Sequence, residues 1–490
     1  MIAPDFKTFK SFAKKGNLVA VSMSIPADLE TPVSCFLKVA GSAPHAFLLE
    51  SAEQEEKVGR YSFIGFDPDQ ILTARDGDLE VRRDRQTQLL VQTDLVGTIQ
   101  KNLASYHLVN PESLPAFCGG FVGFLSYENV QIFEDIELQP RPGPDLPDGI
   151  FFLTKNLVIF DHFRKTLSIT VLVDVGRGVR AERAYREARR KIQRCADRLC
   201  RPLRPTSSRK REIPVSPQAN MTRAQFCEKV KKIKNYIRAG DCIQVVLSQR
   251  FTLPAITDDF RIYRALRSIN PSPYMFYFRS AATRLIGSSP ELLVKKIGRE
   301  VEVRPIAGTR PRGRNMTEDL LFEENLKKSP KEMAEHLMLV DLGRNDLGRV
   351  SVFDSVKVRD FARVERYSHV MHLVSQVLGK LRPSKDSFDL LRAVFPAGTV
   401  TGAPKIRAMQ IINELEPEKR GPYAGCLGYF SFNQNMDMCI TIRTLVIQGK
   451  KAYLQAGAGI VKDSSPIREY QETLNKAQAV LKALQQLGDF

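Results

Sequence analysis

Four glutamates stand in two pairs with the same spacing. Glu332 and Glu335 lie three apart in SPKEMAEHLMLVDLGRND, and Glu469 and Glu472 lie three apart in SSPIREYQETLNKAQAVL. Each stretch opens on Ser-Pro, a good helix start, because proline's missing N–H falls where a helix has no partner for it. In the first stretch Met333, Leu337 and Val340 fall at i, i+4, i+7 and predict one apolar stripe, with both glutamates on a face beside it. Like charges three apart repel modestly unless a cation lies between them. One such pair is common on a solvated helix. Two of them, each opened by Ser-Pro and each beside an apolar stripe, predict a hard divalent cation bound through oxygen, with water and an anionic substrate completing its shell. No histidine cluster at metal spacing accompanies them, so the expected ion is Mg²⁺ rather than zinc.

Other residues suit an anion. YLQAGAGIV reads as a strand running into Gly457-Ala458-Gly459, where small residues let backbone N–H groups come close to a negative charge. Arg443, in ITIRTLVI, sits alone in an apolar strand; a buried arginine needs an anion, either a substrate group or an Asp or Glu. FPAGTVTGAPK, 395–405, is a turn into the helix IRAMQIINEL; it is a simple capped loop or a place for an anion at the helix N-terminus. His369 and His372 lie three apart in an apolar setting, as satisfied core histidines or with one serving as a proton donor. VRPIAGTRPRG puts a small apolar residue, Ala307, beside a turn rich in arginine.

The elements that must hold these residues follow from patterning. HAFLLES, GFVGFLSYE, GIFFLTKNLVIF and LSITVLVDV read as strands, followed by one basic helix at about 178–200. Residues 204–219, RPTSSRKREIPVSPQA, are rich in Pro, Ser and charge and read as a linker. Beyond it, Thr222 caps a helix that ends at Gly240, then QVVLSQRFTL, PYMFYFR, RLIGSS, LLVKKI and VEVRPIAG read as strands and 316–342 as mostly helix. Many strands with interspersed helices and no regular βαβ rhythm predict an α+β fold, with large sheets packed against helices.

With 490 residues and 43% hydrophobic composition the chain can bury a sizeable core. No apolar run is long enough to span a bilayer, and MIAPDFKTFKSFAKKG has no apolar segment of the signal-peptide kind. The eight cysteines are scattered without CxxC spacing, which predicts buried free thiols in a reducing cytoplasm. The net charge of +18 concentrates around 176–211, where acidic residues are interleaved in the first half as on a solvated helix. No RRM, helix-turn-helix or zinc-finger pattern accompanies it, so no nucleic acid is expected; a basic nucleic-acid-binding protein is the distant alternative.

Taken together, PIAGTRPRG, KEMAEHLMLVDLGRNDLGRV, SHVMHLVSQV, FPAGTVTGAPKIRAM, IRT and QAGAGIVKDSSPIREYQETLNKA resemble the chorismate-utilising enzyme family, in that family's order and over most of 220–480. LLES, RYSFIG and GFLSYE resemble its N-terminal domain. The resemblance implies a regulatory domain over 1–205 and a chorismate-binding catalytic domain over 220–485. It implies that Mg²⁺, held through Glu335 and Glu472 with Glu332 and Glu469 in the same shell, grips the ring carboxylate of chorismate. It implies that Arg443, Tyr423 and the backbone of Gly457, Ala458 and Gly459 hold the pyruvyl side, with Gly308 and Thr309 also at the substrate. Glu291, in GSSPELL, would protonate the departing C4 hydroxyl, and His372 and Thr399 would assist the loss of pyruvate.

Two positions bear on which member of the family this chain resembles. Aminodeoxychorismate synthases carry a lysine where this chain has Ala307, and there the amine can attack the ring. Isochorismate and salicylate synthases carry a water-activating lysine where this chain has Gln244. With neither lysine, ammonia is expected to attack C2 directly, and loss of pyruvate then gives an aromatic ring; aminodeoxychorismate synthase is the nearer alternative. No amidotransferase nucleophile motif is present, and Cys426, in AGCLGYF, reads as a buried strand cysteine. A separate glutamine amidotransferase subunit is therefore implied as the ammonia source, in a heterotetramer. Leu49, Glu50 and Ser51 with Pro273, Tyr274 and Met275 resemble the family's tryptophan pocket, so tryptophan is the implied inhibitor. Lys462, after GAGIV, departs from the small residue expected there; it perturbs the glycine stretch or points to solvent.

Overall fold

Short apolar runs recur along the chain, and its strands assemble into two large antiparallel sheets, the central ones such as Gly120–Leu125 and Cys426–Ser431 buried at every position. The computed structural model describes residues 1–489 except 52–58, 85, 177, 204–215, 256–257 and 368–369, with backbone alone at 488–489. His369 and most of the expected linker lie outside the described residues. Within 216–219, Gln218–Ala219 is an edge strand paired with Phe251 and Thr252.

Each sheet runs through both halves of the sequence. In the first, His45–Glu50 pairs with Tyr274–Ser280, from Met275↔Glu50 to Ser280↔His45. In the second, Gly120–Leu125 pairs with Cys426–Ser431, from Cys426↔Leu125 to Ser431↔Gly120. Between the sheets lies an aromatic core that draws Phe47, Phe63, Phe276 and Phe278 from one side and Phe124, Phe152, Leu427 and Tyr429 from the other. The α+β architecture is as expected.

The helices begin and end where their residue types dictate. Thr222 and Gln225 form a reciprocal capping box at the start of Arg223–Ala239, and Gly240 closes it in the left-handed region at φ +84°. The basic helix Ala181–Leu199 buries Ala184, Tyr185, Ala188, Ile192, Cys195 and Leu199, while Arg183 and Arg186 pair with Glu187 and Glu182 at its surface. The 316–342 region is two helices, Met316–Lys328 and Pro330–Gly348, separated at Ser329, whose side chain caps the second. That second helix buries His336, Leu339, Val340, Gly343, Asp346 and Leu347. Leu337 is exposed and Met333 half-buried, so the predicted 333–337–340 stripe is displaced around the helix. The cause is His336 and Gly343, which the apolar pattern did not count as buried. All eight cysteines are free, with Cys200 exposed, Cys227 half-buried and the other six buried. Cys426 lies in a strand, where burial pushes its thiol up to about 12.

Candidate active site

The site opens where a sheet comes apart. Strands Thr444–Gln448 and Lys451–Ile460 pair only from Gln448↔Lys451 to Leu445↔Leu454. Lys451–Ile460 stays paired with Gln244–Pro254 along its full length. Among the described residues, therefore, 455–460 present an edge that no strand covers. Arg443 is the reason. It is not inside a strand, as the apolar residues around it suggested. It sits between Met436–Ile440 of the second sheet and Thr444–Gln448 of the first, at φ +48°, where the chain crosses from one sheet to the other. A non-glycine residue there is strained and holds the opening at a small local cost.

Gly457-Ala458-Gly459 is part of this strand rather than a loop after it, with Gly457 opposite Ser248 and Gly459 opposite Val246. Its small residues clear space over the strand. A Cβ on Gly457 would lie 2.6 Å from the Tyr423 hydroxyl, and one on Gly459 would collide with the Gln244 amide. Lys462 is exposed beyond the strand end and does not disturb it.

Burial controls the ionisable groups facing the opening. Glu291 is 8% exposed, and desolvation pushes its carboxyl up to about 7 against the pull of the Thr399 hydroxyl, Lys476 and Arg443. Thr399 lies in the short turn Gly398–Val400, beside that carboxyl. Burial lowers the pKa of Arg443, with Glu291 and Tyr367 opposing, and its guanidinium makes no ion pair among the described residues. His372 is pulled down to about 4 by burial and is neutral at pH 7. Its Nδ1 lies 2.9 Å from the Gly308 carbonyl, which can only accept, so Nδ1 carries the proton and Nε2 is left as an acceptor. The Thr309 hydroxyl is 3.1 Å from the same nitrogen. Gly308 makes a bulge in Ile306–Pro311 at φ +61°, where a Cβ would lie 3.3 Å from Glu332 Oε2.

The two glutamate pairs face each other from helices Pro330–Gly348 and Pro466–Gln485. Gln244 Nε2 donates to Glu335 Oε1 at 3.1 Å. Burial raises the Glu335 carboxyl, and the negative charges of Glu332 and Glu472 raise it further. Burial likewise raises Glu469, again with Glu472 adding to the effect. Arg310 pairs with Glu332 at 3.1 Å and Lys476 with Glu472 at 2.8 Å. Among the described residues no three His, Cys, Asp or Glu side chains converge at metal-ligating distance. The protein alone is thus not a closed cage. The donors are carboxylate oxygens that repel across two helices, and this fits a hard cation taking one or two carboxylates, with substrate and water for the rest.

Lys476 was not expected. Its ammonium donates to the Gly457 carbonyl at 3.0 Å, pairs with Glu472, and acts electrostatically on Glu291, Glu469 and His372. Its i, i+4 spacing from Glu472 reads as an ordinary surface pair. The signal that could have singled it out is its place one turn beyond two glutamates already suspected.

A second cavity of about 260 Å³ lies between the sheets and is lined by Leu49, Glu50, Ser51, Pro273, Tyr274 and Met275 together with Asp437 and Tyr429. The strand pairing that sets Met275 opposite Glu50 brings the two sequence segments together. Glu50 accepts from the Tyr263 hydroxyl at 2.6 Å and from Arg267 Nε at 2.8 Å. The Tyr274 hydroxyl donates to Asp437 at 3.0 Å.

Residues 44–482 match the family of chorismate binding enzymes, and the chain belongs to that family. It is a chorismate-utilising enzyme. Anthranilate synthase component 1 of Synechocystis sp. is 46% identical to it over 510 residues, covering 100% of both chains. The protein of the same name from Pseudomonas aeruginosa is 43% identical, over 96% of each chain. The crystal structure of anthranilate synthase component I from Streptococcus pneumoniae matches with a TM-score of 0.76 at 34% identity, covering 93% of this chain and 98% of that one. A menaquinone-specific isochorismate synthase from Escherichia coli shares the fold, with a TM-score of 0.72 at 19% identity. Among the described residues no helix is long and apolar enough to cross a membrane.

Proposed function

We propose that the chain is the large subunit of an anthranilate synthase, a lyase that converts chorismate and ammonia to anthranilate and pyruvate in the first step of tryptophan biosynthesis. The observation that carries this reading is a buried proton donor, Glu291, facing an arginine, Arg443, that makes no ion pair among the described residues. A substrate with a leaving hydroxyl and a carboxylate suits that combination.

In this mechanism Arg443, Tyr423 and the uncovered strand edge at Gly457, Ala458 and Gly459 hold the pyruvyl carboxylate, with Gly308 and Thr309 at the ring. Glu291 gives its proton to the C4 hydroxyl as that group leaves, and ammonia attacks C2. Ala307 is buried and its methyl carries no competing amine. In the second step His372 Nε2 takes the C2 proton as pyruvate departs, and Thr399 assists that loss. Bound Mg²⁺, held through Glu335 and Glu472 with Glu332 and Glu469 beside them, would supply positive charge against the ring carboxylate.

Ammonia comes from glutamine through a partner amidotransferase subunit, in a cytoplasmic heterotetramer. Tryptophan binds in the second cavity, at Leu49, Glu50, Ser51, Pro273, Tyr274 and Met275, and inhibits. The regulatory part is 1–205 and the catalytic part 220–485. The test mixes the purified chain with chorismate, Mg²⁺ and excess ammonium salt at alkaline pH and follows anthranilate fluorescence with and without tryptophan. Fluorescence that grows, needs Mg²⁺ and falls with tryptophan supports the activity and the inhibitor together. Growth unaffected by tryptophan removes the inhibitor. An aminated, non-aromatic product in place of anthranilate overturns the assignment.

A further inference from the structure

Arg420 belongs to none of the groups assigned above, yet it is 3% exposed and carries a full charge. Its guanidinium lies between two rings, 4.8 Å from the centroid of Tyr127 and 5.5 Å from that of Tyr423. Around its edge, Nε and Nη2 donate to the two Glu416 oxygens at 2.9 and 2.7 Å. Nη1 donates to the Val400 carbonyl at 2.7 Å, and Nη2 also donates to the Val246 carbonyl at 2.8 Å. Glu416 is fixed in turn by Ser248, whose N–H and hydroxyl both reach Oε1 at 2.8 Å.

Three of the residues that Arg420 touches adjoin or belong to the site. Val400 ends the turn that holds Thr399. Val246 stands opposite Gly459 and two residues from Gln244. The Tyr423 hydroxyl reaches over Gly457. Stability alone is a poor account of the arrangement, because buried ion pairs replaced by apolar groups of similar size often cost nothing. A planar fork with five donors does something else well: it fixes the relative positions of everything around it. Among the described residues the buried Tyr127 hydroxyl has no hydrogen-bond partner, so what Tyr127 offers Arg420 is its ring face.

We propose that Arg420 is a positioning residue for substrate binding: clamped by Glu416 and the Tyr127 ring, it holds the Tyr423 ring so that its hydroxyl meets chorismate. The inference rests on the assignment of Tyr423 to the substrate made above. Steady-state kinetics with ammonium and varied chorismate test it on the full chain, with melting temperatures for every variant. Arg420→Lys keeps the charge and loses the fork; it should raise the chorismate KM on the order of tenfold, with kcat changed no more than about twofold. Tyr127→Leu should do the same in smaller measure, and Tyr127→Phe should match wild type. In a Tyr423→Phe background, Arg420→Lys should add no further rise in KM. A full additional rise there, a fall in melting temperature with KM unchanged, or equal behaviour of Tyr127→Phe and Tyr127→Leu would each overturn the proposal. A wild-type KM for Tyr423→Phe alone would instead bring down the substrate assignment, and the proposal with it. Should Arg420→Lys not fold, Tyr127→Leu combined with Tyr423→Phe makes the same comparison.

Discussion

The two cavities between and beside the sheets treat their polar groups in opposite ways. In the inter-sheet cavity the charges are already matched: Glu50 accepts from Tyr263 and Arg267, and Tyr274 donates to Asp437. At the sheet opening Arg310 pairs with Glu332 and Lys476 with Glu472, but the groups deepest in it are left unmatched. Glu291 is buried and held up near about 7, and Arg443 makes no ion pair among the described residues. Glu335 is pressed by Glu332 and Glu472. A cavity with satisfied walls is stable while empty and suits a ligand that comes and goes. One with unsatisfied walls stores free energy that a substrate and a cation release on binding, and that is where chemistry is expected.

The sharpest way to break this contrast is Glu291→Gln. It should lower kcat about 10²- to 10⁴-fold, the usual worth of a general acid, with little change in chorismate KM. An equal rise in KM with kcat intact would reassign Glu291 to binding. The same residue makes a stability prediction. Its folded pKa, about 7, stands above the ordinary glutamate value of 4.5. The folded state therefore prefers the protonated form, and that contribution is present below 4.5 and lost as pH rises to about 7. The loss is about 3 kcal/mol by linkage. In denaturant melts of the free chain, Glu291→Gln should flatten this part of the pH profile; parallel profiles for variant and wild type would show that Glu291 titrates normally. In the same window kcat/KM for chorismate, at constant free ammonia, should fall as pH rises through about 7.

Arg443→Met should raise chorismate KM by about 10- to 100-fold, the loss of a charge-assisted contact of about 1.5–3 kcal/mol. It should also raise the melting temperature, because it removes a buried charge that makes no ion pair among the described residues. A drop in melting temperature would mean that Arg443 stabilises the fold. The smallest effect belongs to the matched cavity. Glu50→Gln loses an ion pair with a half-exposed arginine, which solvent already screens, at a cost of about 1 kcal/mol in a thermal or denaturant melt. Turnover should stay within about twofold while any tryptophan inhibition disappears. Inhibition that survives would move the regulatory site elsewhere.

Local signals made much of this molecule legible from its residues. Thr222, Gln225 and Gly240 mark both ends of one helix because capping is a short-range matter. Short apolar runs mark the strands, and two glutamate pairs mark two helices that meet. The rest depends on contacts distant in sequence. Nothing near Arg443 is a turn former, so its place between two sheets is invisible until Met436–Ile440 and Thr444–Gln448 have chosen different partners. The glycines at 457 and 459 read as an anion loop because the side chains they make room for, Tyr423 and Gln244, arrive from elsewhere. Lys476 has the spacing of a solvent-facing pair, and its reach to the Gly457 carbonyl comes from how a helix lies on a strand.

The strand pairs that join His45–Glu50 to Tyr274–Ser280 and Gly120–Leu125 to Cys426–Ser431 also govern what the chain tolerates by way of scission. A protease site engineered into 204–215 should yield two fragments on a denaturing gel and one particle in gel filtration, still turning over chorismate. Expressed by itself, either fragment would carry two raw strand borders, each six residues long or nearly so. Such borders recruit whatever strand they meet, and lone fragments should end in inclusion bodies. Made together in one cell, they should find each other first.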